Sequence, residues 1–175
     1  MKRRILLLGT AALLAGCASS PAPSDYAAER PALELDRYFN GRITAHGIFT
    51  DRGGKVARRF TVVMDCNWSG DTGTLDEAFA YSDGKRERRV WTVKKLGNGR
   101  YTGTAGDVVG TAQGQAAGNA LQWRYTLRLP VDDKVYEVQF DDWMFLVDDQ
   151  VMLNKATMSK FGVRLGEVTL AFRKP

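Results

Sequence analysis

From Leu33 onward the chain repeats one pattern: short runs in which apolar and polar residues alternate, separated by turn-forming pairs. Residues 121–129 show it without a fault. Leu121, Trp123, Tyr125, Leu127 and Leu129 fall on one side, and Gln122, Arg124, Thr126 and Arg128 on the other. Successive strand side chains point to opposite faces, so a period of two describes a strand with one buried and one wet face. A helix would smear the same residues around its axis. Pro130 ends the run where a missing amide donor is tolerated. Residues 59–68 behave alike: Phe60, Val62, Met64, Cys66 and Trp68 share a face opposite Thr61, Asp65 and Asn67, with Val63 as the exception.

Further strands are predicted over 42–50, 74–81, 86–95, 100–109, 134–146, 150–155 and 163–173. Arg52-Gly53-Gly54, Asp83-Gly84, Asn98-Gly99, Gly118-Asn119 and Asp132-Asp133 supply hairpin-type turns between them. Short helices are predicted only at 33–39 and near 157–161. About eight to ten short strands joined in sequence by tight turns make an all-β antiparallel meander. Closing it into a single barrel removes the exposed edges of an isolated sheet, and strict alternation suits a barrel wall; an open sandwich is the alternative. The seven glycines of residues 97–118 have no G-K-[ST] and no βα unit around them, so they do not cradle phosphate. Nor is their four-residue spacing a transmembrane dimer motif, because Asp107, Gln113 and Gln115 interrupt it. They are read as places where strands bend or backbones approach closely.

Residues 1–16 follow a different rule. Lys2, Arg3 and Arg4 precede an uncharged run over 5–14, and small Ala15 and Gly16 close it. That is the order of a secretion signal. The run is too short for a bilayer, which takes about 20 residues. Leu14-Ala15-Gly16-Cys17 resembles the bacterial lipobox. In that family the cysteine thiol receives a diacylglyceryl group, the signal is cut before it, and the new amino terminus is acylated. The resemblance implies a membrane anchor at Cys17. Several acyl chains hold where one binds reversibly, at roughly 0.8 kcal/mol per buried methylene. Ala18 and Ser19 lack the aspartate that retains many such lipoproteins at the inner membrane, which implies an outer-membrane location facing the periplasm of a Gram-negative host. Residues 17–32 then form the lipidated cysteine and a flexible tether, rich in Pro, Ser and Ala, with a reach of roughly 20 Å. Residues 33–175 form the β-barrel domain.

Loss of the signal also corrects the charge. Lys plus Arg falls from 25 to 22 against 20 Asp plus Glu, so the net charge drops from +5 to +2. A nucleic-acid partner is not indicated, and export argues against one independently. With Cys17 lipidated, Cys66 is the one remaining thiol and a disulfide framework is excluded. Cys66 reads as a buried, unreactive core thiol. The 159 residues left after removing 16 from 175 suit one domain with a sizeable core.

No catalytic motif stands out. His46 is the sole histidine, on the face of its strand opposite Ile43, Ala45 and Phe49, and there is no G-x-S-x-G. One histidine and one free cysteine do not make a zinc site, and no cofactor is implied. Neighbours Asp141-Asp142 and Asp148-Asp149 point to opposite faces and are read as solvated turn and rim charges. Glu77 is more informative, because it shares a face with Leu75, Phe79 and Tyr81, where a carboxylate is costly unless paired. A two-residue Asp83-Gly84 turn sets Glu77 opposite Val90 and Phe79 opposite Arg88; a one-residue bulge puts Arg89 and Trp91 on that face instead. Two readings stay open: an ion pair that fixes register, or a polar anchor in an apolar cavity that grips a ligand head group. The candidate ligand-binding residues are therefore Glu77, Arg88, Arg89, Trp91, Trp123 and Tyr125. Most of the bulky apolar surface that the tryptophans, phenylalanines and tyrosines supply is assigned to the core.

Two resemblances bear on the fold. Leu35-Asp36-Arg37-Tyr38-Phe39-Asn40-Gly41-Arg42-Ile43 is similar to the start of a lipocalin, where a helical turn leads into G-x-W, with Ile43 in place of the tryptophan. Arg173 would be the lipocalin arginine that packs over that position. This implies a lipocalin- or calycin-like barrel. Over nearly all of the mature chain, Phe39-Asn40-Gly41, residues 76–84, Arg89-Val90-Trp91, Trp123-Arg124-Tyr125 and Asp141-Asp142-Trp143-Met144 resemble an uncharacterised proteobacterial lipoprotein family, a domain of unknown function. That likeness implies an envelope location and a single domain and supplies no activity. The expected function is binding or carrying an apolar small molecule or fatty acyl group in the periplasm. The alternative is a structural or assembly lipoprotein that binds an envelope protein through its outer surface. An enzyme is not expected.

Overall fold

The structure, a computed structural model, describes residues 20–131 and 133–175. The predicted export signal and Cys17 lie outside these residues. After a four-residue helix α1 (Leu35–Tyr38) come ten strands among the described residues: β1 (Gly41–Asp51), β2 (Val56–Ser69), β3 (Thr72–Tyr81), β4 (Arg86–Gly97), β5 (Arg100–Thr104), β6 (Val108–Ala117), β7 (Ala120–Val131), β8 (Lys134–Leu146), β9 (Val151–Lys160) and β10 (Val163–Arg173). Each pairs antiparallel with its neighbours in sequence, and β1 pairs with β10 from Thr44↔Arg173 to Asp51↔Gly166, which closes the barrel. The expected all-β meander barrel is thus the architecture of the chain, and the open sandwich is discarded.

The meander gives the barrel two unlike ends. Turns 70–71, 98–99, 118–119 and 147–150 share one end with α1, and turns 52–55, 82–85, 105–107 and 161–162, with the end of β7 and the start of β8, share the other. At the first end α1 closes the barrel. Leu33, Leu35, Tyr38 and Phe39 are all buried, and Phe39 meets Phe172 edge-on at 5.8 Å. The indole Nε1 of Trp68 donates to the Phe39 carbonyl at 2.8 Å, and Lys95 Nζ pairs with Asp36 at 2.8 Å. These bonds satisfy polar groups that the plug would otherwise strand. The short predicted helix at 33–39 is this plug.

Three expectations are corrected, and one tryptophan lies outside the core. Predicted strand 100–109 is two elements, β5 and the start of β6, joined over 105–107; most of β6 lies inside the glycine-rich stretch. Residues 157–161 are not helical, since β9 runs on to Lys160. Trp143 faces outward, because its neighbours Asp142 and Met144 face in; it stacks on Phe145 at 6.0 Å. The described part of the expected flexible tether lies against the wall. Pro23–Tyr26 forms a 3₁₀ turn, and the Tyr26 ring packs edge-on against Trp143 at 5.9 Å and Phe145 at 5.1 Å. Farther on, Leu33 N–H donates to the Gly118 carbonyl at 2.8 Å. An outward aromatic pair exposes apolar area that a passing segment gains by covering, and this outweighs the proline-rich composition.

The glycines of β5 and β6 allow close approach. Gly103 and Gly114 lie under the Trp123 indole, and a Cβ at Gly114 would overlap the ring. Gly73 does the same for Trp68 and Gly47 for Phe60. A large ring therefore lies flat on the wall and stays out of the centre of the barrel. Gly114→Val is expected to cost about 2 kcal/mol by overpacking. Urea unfolding followed by tryptophan fluorescence would show it as a lowered midpoint, with exposed His46→Ala as the near-neutral control.

Candidate functional site

Ten tilted strands enclose more space than their side chains fill. The barrel holds a cavity of about 900 Å³ that runs from Leu35 and Phe39 on the plug to the opposite end. Its wall is built by alternation: Phe60, Val62 and Met64 from β2, Leu75 and Phe79 from β3, Leu121, Leu127 and Leu129 from β7, Ala156 and Met158 from β9. At the mouth stand Arg58, Tyr81, Lys85, Glu87 and Lys160. Arg58 pairs with Asp83 and lies 4.3 Å over the Tyr81 ring, whose hydroxyl donates to Glu87 at 2.9 Å.

Partway down, the apolar wall is interrupted by a polar belt. Glu77 lies between Leu75 and Phe79 on β3, Asp142 between Phe140 and Met144 on β8, and Asn154 between Met152 and Ala156 on β9. The strand register decides which arginine joins them. Glu77 pairs with Arg89 and Leu75 with Trp91, so Arg89 and Trp91 point inward. The Asp83 carboxylate accepts from Lys85 N–H at 3.0 Å, and Tyr81 N–H bonds the Lys85 carbonyl at 2.9 Å, which gives the turn a longer span than a two-residue loop. Arg89 lies 3.8 Å from Glu77, and its Nε and Nη2 each reach Asp107 at 2.8 Å. Trp91 meets Trp123 at 5.7 Å and Tyr125 at 5.4 Å, both edge-on, and Tyr125 stacks on Phe140 at 5.0 Å. The Tyr125 hydroxyl donates weakly to Asp142 at 3.5 Å.

Of the six ligand-binding candidates, the fold gathers Glu77, Arg89, Trp91, Trp123 and Tyr125 in one lumen. Arg88 does not join them. It faces outward, where its Nε donates to Asp76 at 2.7 Å. Asp142 is the residue the sequence reading missed: classed with the rim charges, it is buried inside the barrel, while Asp141 faces out and accepts from Gln122 at 2.8 Å. The inward series Val138, Phe140, Asp142, Met144, Leu146 on β8 carried that signal. Asp148 is a turn residue, accepting from the N–H groups of Gln150 and Val151. Cys66 is buried and free, and burial pushes its thiol up to about 12. Among the described residues no group of three or more His, Cys, Asp or Glu converges as a metal site.

Burial governs the belt's protonation. It lifts Glu77 to about 7 against the pull of Arg89, and lifts Asp142 to about 8 against the same guanidinium. Arg89 is itself penalised by burial, yet Glu77 and Asp107 hold it charged. Glu77 Oε2, Asp142 Oδ1 and Asn154 Oδ1 are buried with no hydrogen-bond partner. Such acceptors each cost about 1–3 kcal/mol, so the belt lowers stability and fixes a polar place in an apolar space.

A family model described as a protein of unknown function, DUF3833, matches residues 11–174. No curated protein matches the chain significantly in sequence. Among solved structures, the chain is similar to a protein of unknown function of the DUF3598 family from Nostoc punctiforme, with a TM-score of 0.57 and 11% identity over 84% of this chain; it spans about half, 51%, of that one. A de novo designed fluorescence-activating β-barrel matches with a TM-score of 0.43 and 10% identity, over 82% of this chain and 99% of the design.

Glu77 and Asp142 bind protons more readily in the folded chain than at their ordinary values of 4.5 and 3.8. The folded state therefore holds more protons than the unfolded one across this window, and stability falls as pH rises from about 4 to about 8. Asp142→Asn is expected to flatten that fall and to raise the urea midpoint at about pH 8 more than at about pH 5. Equal shifts at the two pH values would contradict a buried, titrating Asp142.

Proposed function

We propose, on the premise that the chain belongs to the DUF3833 family, that it is a lipid-anchored envelope protein whose barrel binds or carries an apolar small molecule or fatty acyl group. The observation that carries the reading is the cavity of about 900 Å³, walled by aliphatic and aromatic side chains and open at one end. That volume is in the range of small-molecule sites, and an apolar wall with few placed polar groups is their usual composition.

The mouth supports the same reading. Eleven large apolar residues are exposed among the described residues, and seven of them, Val56, Val131, Val135, Tyr136, Phe161, Val163 and Leu165, lie at the tips of the strands around the mouth. Phe161 is 90% exposed and holds a φ of 51°, a turn conformation normally left to Gly or Asn. Apolar tips around an opening give a greasy molecule leaving a lipid phase an apolar surface beside the charged Arg58, Lys85, Glu87 and Lys160 of the mouth. The four others, Val90, Leu96, Val147 and Leu153, are scattered over the wall and the closed end, so the alternative of an outer docking surface draws less support.

The anchor rests on the export signal and the lipobox resemblance at Cys17, with a periplasm-facing outer membrane as the proposed site. Two outcomes are expected. Labelled palmitate should enter the protein and be lost with membrane sedimentation in Cys17→Ala. Ala156→Phe, which projects a ring into the lumen, should weaken binding of a neutral hydrophobic dye by about tenfold or more while leaving the fold intact. Unchanged dye affinity in that variant, together with no lipid in mass spectra of the purified chain, would remove the carrier reading.

A further inference from the structure

We infer that the ligand's head is an N–H-bearing cation, an alkylammonium in its simplest form, and that a free carboxylate is rejected. This rests on the reading of the lumen as a ligand cavity and narrows it.

The belt has acceptors to spare. Glu77 Oε2, Asp142 Oδ1 and Asn154 Oδ1 all lack partners, and all three residues line the cavity. Asp142 is 7% exposed and Asn154 2%, so these groups are set into the cavity wall and not in open solvent. The donors of Arg89, Tyr125 and Asn154 are already committed, and the Trp91 indole bonds Glu77. Arg89 gives Nε and Nη2 to Asp107 and turns Nη1 toward Glu77. The Tyr125 hydroxyl leans on Asp142 Oδ2, and Asn154 Nδ2 on the Trp143 carbonyl. An incoming group must therefore donate.

Charge points the same way. Glu77 on β3, Asp107 before β6 and Asp142 on β8 face a single guanidinium, Arg89 on β4. The other strands add no cation at this depth. β2 presents Met64 and Cys66, β10 Leu170 and Phe172, β1 Ile43 and Ala45, β5 Tyr101 and β9 Asn154. Lys85, Arg58 and Lys160 stand at the mouth. At about pH 8, where Glu77 is largely and Asp142 about half ionised, a ligand carboxylate would add a further negative charge and further acceptors in a low-dielectric space. An ammonium brings three donors and one positive charge to the unpartnered oxygens, while its chain fills the apolar lumen. Glu77 and Asp142 titrate within the neutral range, so ammonium binding should strengthen as pH rises through about 7 to 8.

The test compares three probes with one chain length, dodecylammonium, dodecanol and laurate, on the full chain carrying Cys17→Ser so that no acyl group competes. Trp91 and Trp123 line the site and report binding by fluorescence. At about pH 8 dodecylammonium should bind about tenfold or more tighter than laurate. Asp142→Asn and Glu77→Gln should each cut that preference by about tenfold, with an unchanged far-UV circular dichroism spectrum showing that each variant is folded. Laurate binding as tightly as dodecylammonium overturns the inference, as does a preference unchanged in both variants. Dodecanol binding without any ammonium preference overturns the head-group inference alone. Failure of all three probes overturns the ligand-cavity reading and this inference with it.

Discussion

The β1–β10 ladder is the contact on which everything else depends. Without it the sheet has two open edges and an inner face turned to water; with it, the alternate residues of ten strands share one enclosed space. Closure is non-local, joining the start of the domain to its end, so its loop entropy is offset only once the intervening hairpins have formed. The α1 plug then gains its value. Leu35 and Phe39 bury apolar area only because a finished rim exists to receive them.

Closure creates a conflict that the belt expresses. A lumen lined by Phe, Leu, Val and Met is a poor place for ionised carboxyls, yet Glu77 and Asp142 point into it. Arg89 compensates Glu77 and Asp107, and Asp142 is left to burial. Replacing such buried polar groups by apolar ones of similar shape is often neutral or stabilising, so stability does not explain their presence. A polar place held at fixed depth in an apolar cavity does have a use in binding, where it sets the orientation of an amphipathic molecule.

How much of this was legible in the sequence follows from range. Alternation is local, and it gave the walls of β2 and β7 residue by residue; turn pairs gave most of the hairpins. The fold class followed from these two signals. The split of β5 from β6 did not, because glycines that make room for Trp123 carry no side-chain pattern of their own. The choice between Arg88 and Arg89 turned on a one-residue register shift at residues 82–85, which composition does not fix. Asp142 was misassigned for a different reason. An Asp-Asp pair looks solvated when read alone, and only the register of β8 turns one of the two inward.

The N-terminal segment adds a constraint on orientation. A free tether would leave the chain no fixed point of entry to the barrel. Tyr26, clamped on Trp143 and Phe145 beside the Gly118 turn, instead brings the chain in at the closed end of the wall. Tyr26 leaving this aromatic seat would expose Trp143 and Phe145 to water. The aromatic contact, and not the proline-rich composition of the segment, therefore fixes where the chain meets the wall.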